Sequence, residues 1–153
     1  ALLLNLAVLQ DGHLLHKSGD FALELNSSGQ VKFTVNFGGL NAVAMTAPIV
    51  PIDEWVWIEA YVGSDQIPHI LVGGAETYYT VQTVGIGSRA ASTAALNILS
   101  NATQIDADLV EWYVCNEVQD AASCKTDLSW LMECFNYHLG KEMRHRWARE
   151  LAP

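Results

Sequence analysis

The chain has 153 residues, of which 50% are hydrophobic and only 16% charged. That length suits one domain burying about two-thirds of its unfolded surface, and the composition excludes a disordered chain, which needs low hydrophobicity and high charge. The net charge of −9 argues against a nucleic-acid binder, whose phosphate contacts need clustered Lys and Arg, and no apolar run reaches the roughly 20 residues of a membrane-spanning helix.

Ala1 to Leu9 resemble the apolar part of a signal peptide. They lack the charged leader and the small-residue cleavage site, so that reading is set aside. Leu2–Leu9 is expected to be a strand instead. A start at Ala1 fits a trimmed initiator Met or a cleaved precursor equally well. Phe21, Leu23 and Leu25 alternate with Ala22, Glu24 and Asn26, and Val31 to Phe37 alternates without error. Period two is the mark of a half-buried strand, and Ser27-Ser28-Gly29-Gln30 between the runs predicts a hairpin. Further strands are expected at Val43–Ala47, Trp55–Val62, Ile67–Val72, Thr77–Val84, Ala94–Leu99 and Asp108–Cys115. Gly, Pro, Asn, Asp or Ser punctuate nearly every gap. Many short strands with regular turn signals predict a mainly β fold, an antiparallel β-sandwich or barrel.

The pattern changes near residue 125. Leu128, Leu131, Met132, Phe135, Leu139 and Met143 lie on one helical stripe. This predicts a C-terminal α-helix, ended or kinked at Gly140. The expected division is a β body over 1–124 and a helical segment over 125–153. The body carries 3 bases and 13 acids; the segment carries 5 bases and 4 acids. An acidic body with a basic tail suggests docking, onto the body or onto a neighbouring molecule. Lys141, Met143, Arg144, Arg146, Trp147 and Arg149 are the residues expected to carry it. Surface ion pairs contribute little, so Met143 and Trp147 must supply most of the binding. The plainer reading is a solvated helix face with Met143 and Trp147 packed down as an i,i+4 pair.

Several motifs in order carry a resemblance. They are Lys17 to Leu25, the Trp-led run Glu54 to Val62, Ile70-Leu71-Val72-Gly73-Gly74, and Ile105 to Asn116. Leu128-Ser129 with Glu133 and Tyr137-His138-Leu139 follow them. Together they resemble the laminin-G-like, concanavalin A-like jelly-roll superfamily. Ala107 stands where Gly is common there, and Trp112 is unusual. The resemblance implies a jelly-roll β-sandwich with a C-terminal helix. That superfamily hosts lectins, adhesion modules, virion proteins and glycoside hydrolases, so fold alone does not settle function.

Asp106-x-Asp108-x-x-Glu111 is similar to the Glu-x-Asp-x-x-Glu motif of laminarinase-type glucanases in that superfamily. Retaining hydrolysis needs its two carboxylates on one face. In an unbroken strand Asp106 and Asp108 share a face and Glu111 points away, so a bulge is required. The plainer reading is a pair of solvated edge carboxylates. Trp57, Glu59 and Tyr61 form a second candidate. Val56, Ile58, Ala60 and Val62 make the core face, leaving the odd positions on the other. Two aromatic rings flanking a carboxylate suit sugar stacking with hydroxyl hydrogen bonds. Alternatively these aromatics are covered by the C-terminal helix or a neighbouring subunit, since a large exposed aromatic patch needs a partner.

Three cysteines fall within twenty residues. One disulfide is open to them, with Cys115 and Cys124 the candidate pair, and one thiol is then left over. Their spacing does not match a zinc site, and no metal is expected from it. His13 and His16 are three apart and read as turn histidines. Asn26-Ser27-Ser28 and Asn101-Ala102-Thr103 are formal glycosylation acceptors. No cofactor is expected; the resemblance admits a Ca2+ ion on loop oxygens without assigning its ligands.

The reading that results is a non-catalytic structural and binding module of a larger assembly. A virion surface, capsid-decoration or tail protein fits best, with other protein subunits as partners and a virion or extracellular surface as its location. A secreted carbohydrate-binding adhesion domain is the alternative. A glycan hydrolase using Asp106 and Glu111 is the remote one.

Overall fold

The computed structural model describes residues 1–100, 105–112 and 114. The chain divides into two units, Ala1–Val118 and Gln119–Pro153, and the described residues all lie in the first. The helix expected over 125–153, the cysteine pair Cys115 and Cys124, and the docking residues Lys141, Met143, Arg144, Arg146, Trp147 and Arg149 lie outside the described residues.

The described residues are mainly β. In chain order the strands are β1 (Leu2–Leu6), β2 (Gly12–Lys17), β3 (Phe21–Leu25), β4 (Val31–Val35), β5 (Ala42–Thr46) and β6 (Trp55–Val62), followed by β7 (Pro68–Val72), β8 (Ala75–Glu76), β9 (Tyr79–Thr83), β10 (Leu96–Ser100) and β11 (Ala107–Trp112). They form two sheets, ordered β11-β1-β6-β7-β8 and β10-β2-β3-β4-β5-β9. Every pairing is antiparallel. No helix occurs among the described residues.

Alternation decides which face each strand buries. On β4, Val31, Phe33 and Val35 are buried while Lys32 and Thr34 are only half-buried. On β5, Ala42, Ala44 and Thr46 are buried, with Val43 and Met45 between them. One hydrophobic cluster gathers Val31, Phe33, Val35, Ala42 and Ala44 with Leu23 and Leu25, and with Leu2, Leu4, Leu6, Ile58 and Ile70 from the first sheet. Both sheets therefore turn a face to the same core. Burying an aliphatic side chain of this kind contributes roughly 1.5–3 kcal/mol.

The β3–β4 hairpin forms where expected. Asn26 Oδ1 accepts from the backbone N–H groups of Ser28 and Gln30, both at 3.0 Å. Gly29 completes the turn at φ +78°, a conformation that costs a residue with a Cβ about 1–2 kcal/mol. Its backbone is also approached closely. A Cβ there would lie 3.2 Å from Leu9 Cδ1 and from the Val50 carbonyl oxygen.

Strand β2 departs from the sequence expectation, which placed no strand over 12–17. The register jumps between His13↔Glu24 and Leu15↔Leu23, leaving Leu14 as an extra residue. This bulge lets Leu14 and Leu15, neighbours in sequence, both reach the core. It also breaks the alternation that strand recognition relies on. The expected Thr77–Val84 strand is observed as Tyr79–Thr83, paired with β5, while the two-residue β8 just before it, Ala75–Glu76, was not expected and pairs with β7 in the other sheet.

Candidate functional site

The face of the first sheet turned from the core carries Trp57, Glu59 and Tyr61. Trp57 pairs with Leu3, and Glu59 with Leu71. All four are buried, and Glu59 is only 5% exposed. Trp57 Nε1–H donates to Glu59 Oε1 at 2.5 Å. A buried carboxylate needs such a donor, because losing water uncompensated is costly. Tyr61 is half-buried and stacks on His69, with ring centroids 4.8 Å apart and planes 15° from parallel. The three residues thus share a face. Burial of Trp57 withdraws its ring from the open stacking surface that a sugar would use.

Strand β7 is paired by β8 over only two residues. The rest of its edge is tied by side chains of the following segment. Ile70 N–H donates to Tyr79 Oη at 2.7 Å. Thr77 donates to the Ile70 carbonyl from both Oγ1 and N–H, at 3.1 and 3.2 Å. Gln82 Nε2 donates to the Pro68 carbonyl at 2.9 Å. The Tyr79 hydroxyl in turn donates to Glu76 Oε1, which also meets His69 Nδ1 at 2.9 Å. Burial, reinforced by the Glu76 carboxylate, pushes the Tyr79 phenol above its ordinary range.

The second sheet presents a different outer face. The bulge at Leu14 places His13 and His16 on one side, although an odd separation would otherwise put them on opposite sides. Their rings stack with centroids 4.4 Å apart. They sit on a strand, not in a turn as the sequence suggested. His13 Nε2 lies 3.4 Å from Glu24 Oε1, and Lys32 Nζ lies 2.9 Å from Glu24 Oε2. Beside them runs an open groove of about 210 Å³, lined by Asp11, His13, Glu24, Gln30, Lys32 and Met45 among others. Asn26 Nδ2 donates to Gln30 Oε1 at 2.9 Å, and Gln30 Nε2 to the Thr46 carbonyl at 3.0 Å. Those amides serve the turn. His13, Glu24 and Lys32 give the groove its mixed charge. No signal in the sequence joined these three, because a bulge and two strand registers bring them together.

Asp106 and Asp108 are exposed. The register jump that the carboxylate motif requires is present: Leu3 pairs with Glu111 and Leu4 with Leu109, skipping Val110. Asp108 pairs with Asn5. Among the described residues, no group of three His, Cys, Asp or Glu side chains is placed to hold a metal ion. Comparison with family models, with curated proteins and with solved structures finds no significant match to this chain.

Proposed function

We propose that the chain is a non-catalytic structural and binding module of a larger assembly, folded as a jelly-roll β-sandwich with a C-terminal helix. The observation that carries this reading is the distribution of exposed apolar residues. Leu40, Val84 and Ile86 are exposed where the β4–β5 connection crosses the segment after β9, and Leu40 and Ile86 exchange backbone hydrogen bonds there. Val8, Ile49, Ile52 and Tyr78 are exposed among the connections at the other strand ends. Scattered exposed hydrophobics are ordinary, but groups at both ends suit a subunit held between neighbours. The resemblance of the sequence to virion and adhesion modules favours a virion or extracellular surface as the setting. The test is light scattering across a wide concentration range, on the full chain and on a chain lacking residues 141–153. Stable multimers are expected. A strict monomer at high concentration, unchanged by the deletion, refutes the reading.

The groove beside His13, Glu24 and Lys32 favours a second reading, a carbohydrate-binding adhesion domain. Charged and amide groups set around an open, partly apolar groove suit a sugar, which offers both hydroxyls and C–H faces. A glycan array with the native chain and with Glu24→Gln tests it. Binding that the substitution weakens supports this reading, and a blank array counts against it.

A further inference from the structure

One end of the described unit is knitted from four connections. The N–H groups of Ile49 and Val50 both donate to the Gly29 carbonyl, at 3.0 and 3.1 Å. Asp53 N–H donates to the Leu6 carbonyl at 2.9 Å, and Ala47 N–H to that of Tyr78 at 3.2 Å. Ser27 N–H donates to Asp11 Oδ1 at 2.9 Å. These bonds bring together residues 7–11, 26–30, 47–54 and 77–78. Val8, Ile49, Ile52 and Tyr78 stand exposed on them, Tyr78 at 90%. Pro48 and Pro51 fix two φ angles of the 47–54 connection, which lowers the freedom it has to lose on binding.

Charge at this end has one sign. The four connections hold Asp11, Asp53 and Glu54 and no Lys or Arg. Each base of the described residues is paired with a carboxylate outside these connections, although Lys32 lines one groove with Asp11 and Gln30. Lys17 Nζ and Arg89 Nη2 both meet Asp20, at 3.2 and 3.3 Å, at the opposite strand ends. Lys32 meets Glu24 on the sheet face. In the same chain Lys141, Arg144, Arg146 and Arg149 fall within nine positions, interleaved with Met143 and Trp147. That run carries the positive charge this end lacks, together with large apolar side chains to match those it exposes, and within 141–149 its one acid is Glu142.

We infer that the basic run 141–149 of one copy docks on the apolar, acid-flanked end of a second copy, the surface of Ile49, Ile52, Glu54 and Tyr78. This rests on the assembly reading above and names its partner. Trp147 and Met143 supply the buried anchors, and the arginines steer and orient the encounter. The two surfaces differ, so the contact is heterologous and repeats head to tail into a ring or a filament.

The experiment follows association of the full-length chain by sedimentation velocity, with circular dichroism confirming that each variant keeps its β spectrum. Ile52→Ser and Trp147→Ala are each expected to weaken association at least tenfold. Glu54→Lys and Arg146→Glu each weaken it alone, and together they restore it to within about threefold of the native chain, because the charge pair is re-formed with its signs exchanged. Asp53 is left in place, since its φ of 57° suits Asp better than Lys. A chain that still multimerises but ignores Ile52→Ser and Glu54→Lys overturns this interface and leaves the assembly reading standing. A chain that is monomeric throughout overturns both. A response to Glu54→Lys and Arg146→Glu that is independent of concentration shows the tail seated on its own body, and overturns the second-copy inference.

Discussion

Replacing Trp57 by Phe deletes the indole N–H that donates to Glu59 Oε1 at 2.5 Å. Glu59 is buried, so water does not readily replace that donor. A hydrogen bond to a charged group contributes about 1.5–3 kcal/mol. Unfolding entropy of about 2.1 cal/mol/K per residue, over the residues of Ala1–Val118, amounts to roughly 0.25 kcal/mol/K. Loss of the bond should therefore lower Tm by roughly 6–12 °C. The smaller ring adds its own packing loss, and a double-mutant cycle separates the two. Trp57→Phe with Glu59→Leu removes donor and acceptor together and should cost less than the two single changes combined. The assay is urea and thermal unfolding of all four proteins under one buffer. A coupling energy below about 0.5 kcal/mol, within the additivity error, would refute the claim that the indole satisfies a buried carboxylate.

Three further outcomes are expected. Thr46→Val keeps the shape of a fully buried side chain but removes the Oγ1 that accepts from Val31 N–H at 3.0 Å, and should cost about 1–3 kcal/mol in urea unfolding. Gly29→Ala places a Cβ at φ +78° against Leu9 and the Val50 carbonyl, and should destabilise by at least about 1–2 kcal/mol, read as a lower unfolding midpoint. Tyr79 has a raised phenol pKa in the folded chain, caused first by burial and then by Glu76. A raised folded value favours the protonated form. Its contribution to stability is whole below the unfolded phenol value of about 10 and is lost as pH climbs above it. The urea midpoint should fall steeply in that range for the native chain and less steeply for Tyr79→Phe.

The strands that kept strict alternation were legible in the sequence. Phe21–Leu25 and Trp55–Val62 have the expected bounds, and Val31–Val35 is two residues shorter than its run. Strand β2 was not legible, since His13-Leu14-Leu15-His16 carries two inward residues in a row and mimics no period. The short β8 at Ala75–Glu76 was not legible for a related reason: two residues are too few to show a period. For the candidate site, alternation placed Trp57, Glu59 and Tyr61 together on one face correctly. Their burial depends on what lies over that face, which local pattern does not encode. The groove of His13, Glu24 and Lys32 needed the β2–β3 and β3–β4 registers, and pairing partners are chosen by the whole chain.

The ties along β7 bear on how the molecule comes apart. Tyr79 and Gln82 belong to a strand of the second sheet, yet their side chains hold the main chain of the first. Peeling β7 away therefore means loosening β9 as well, so neither border can fray by itself. The amide proton of Ile70 should exchange with solvent only when both layers yield in one event, which makes that border a gauge of global unfolding rather than a loose seam.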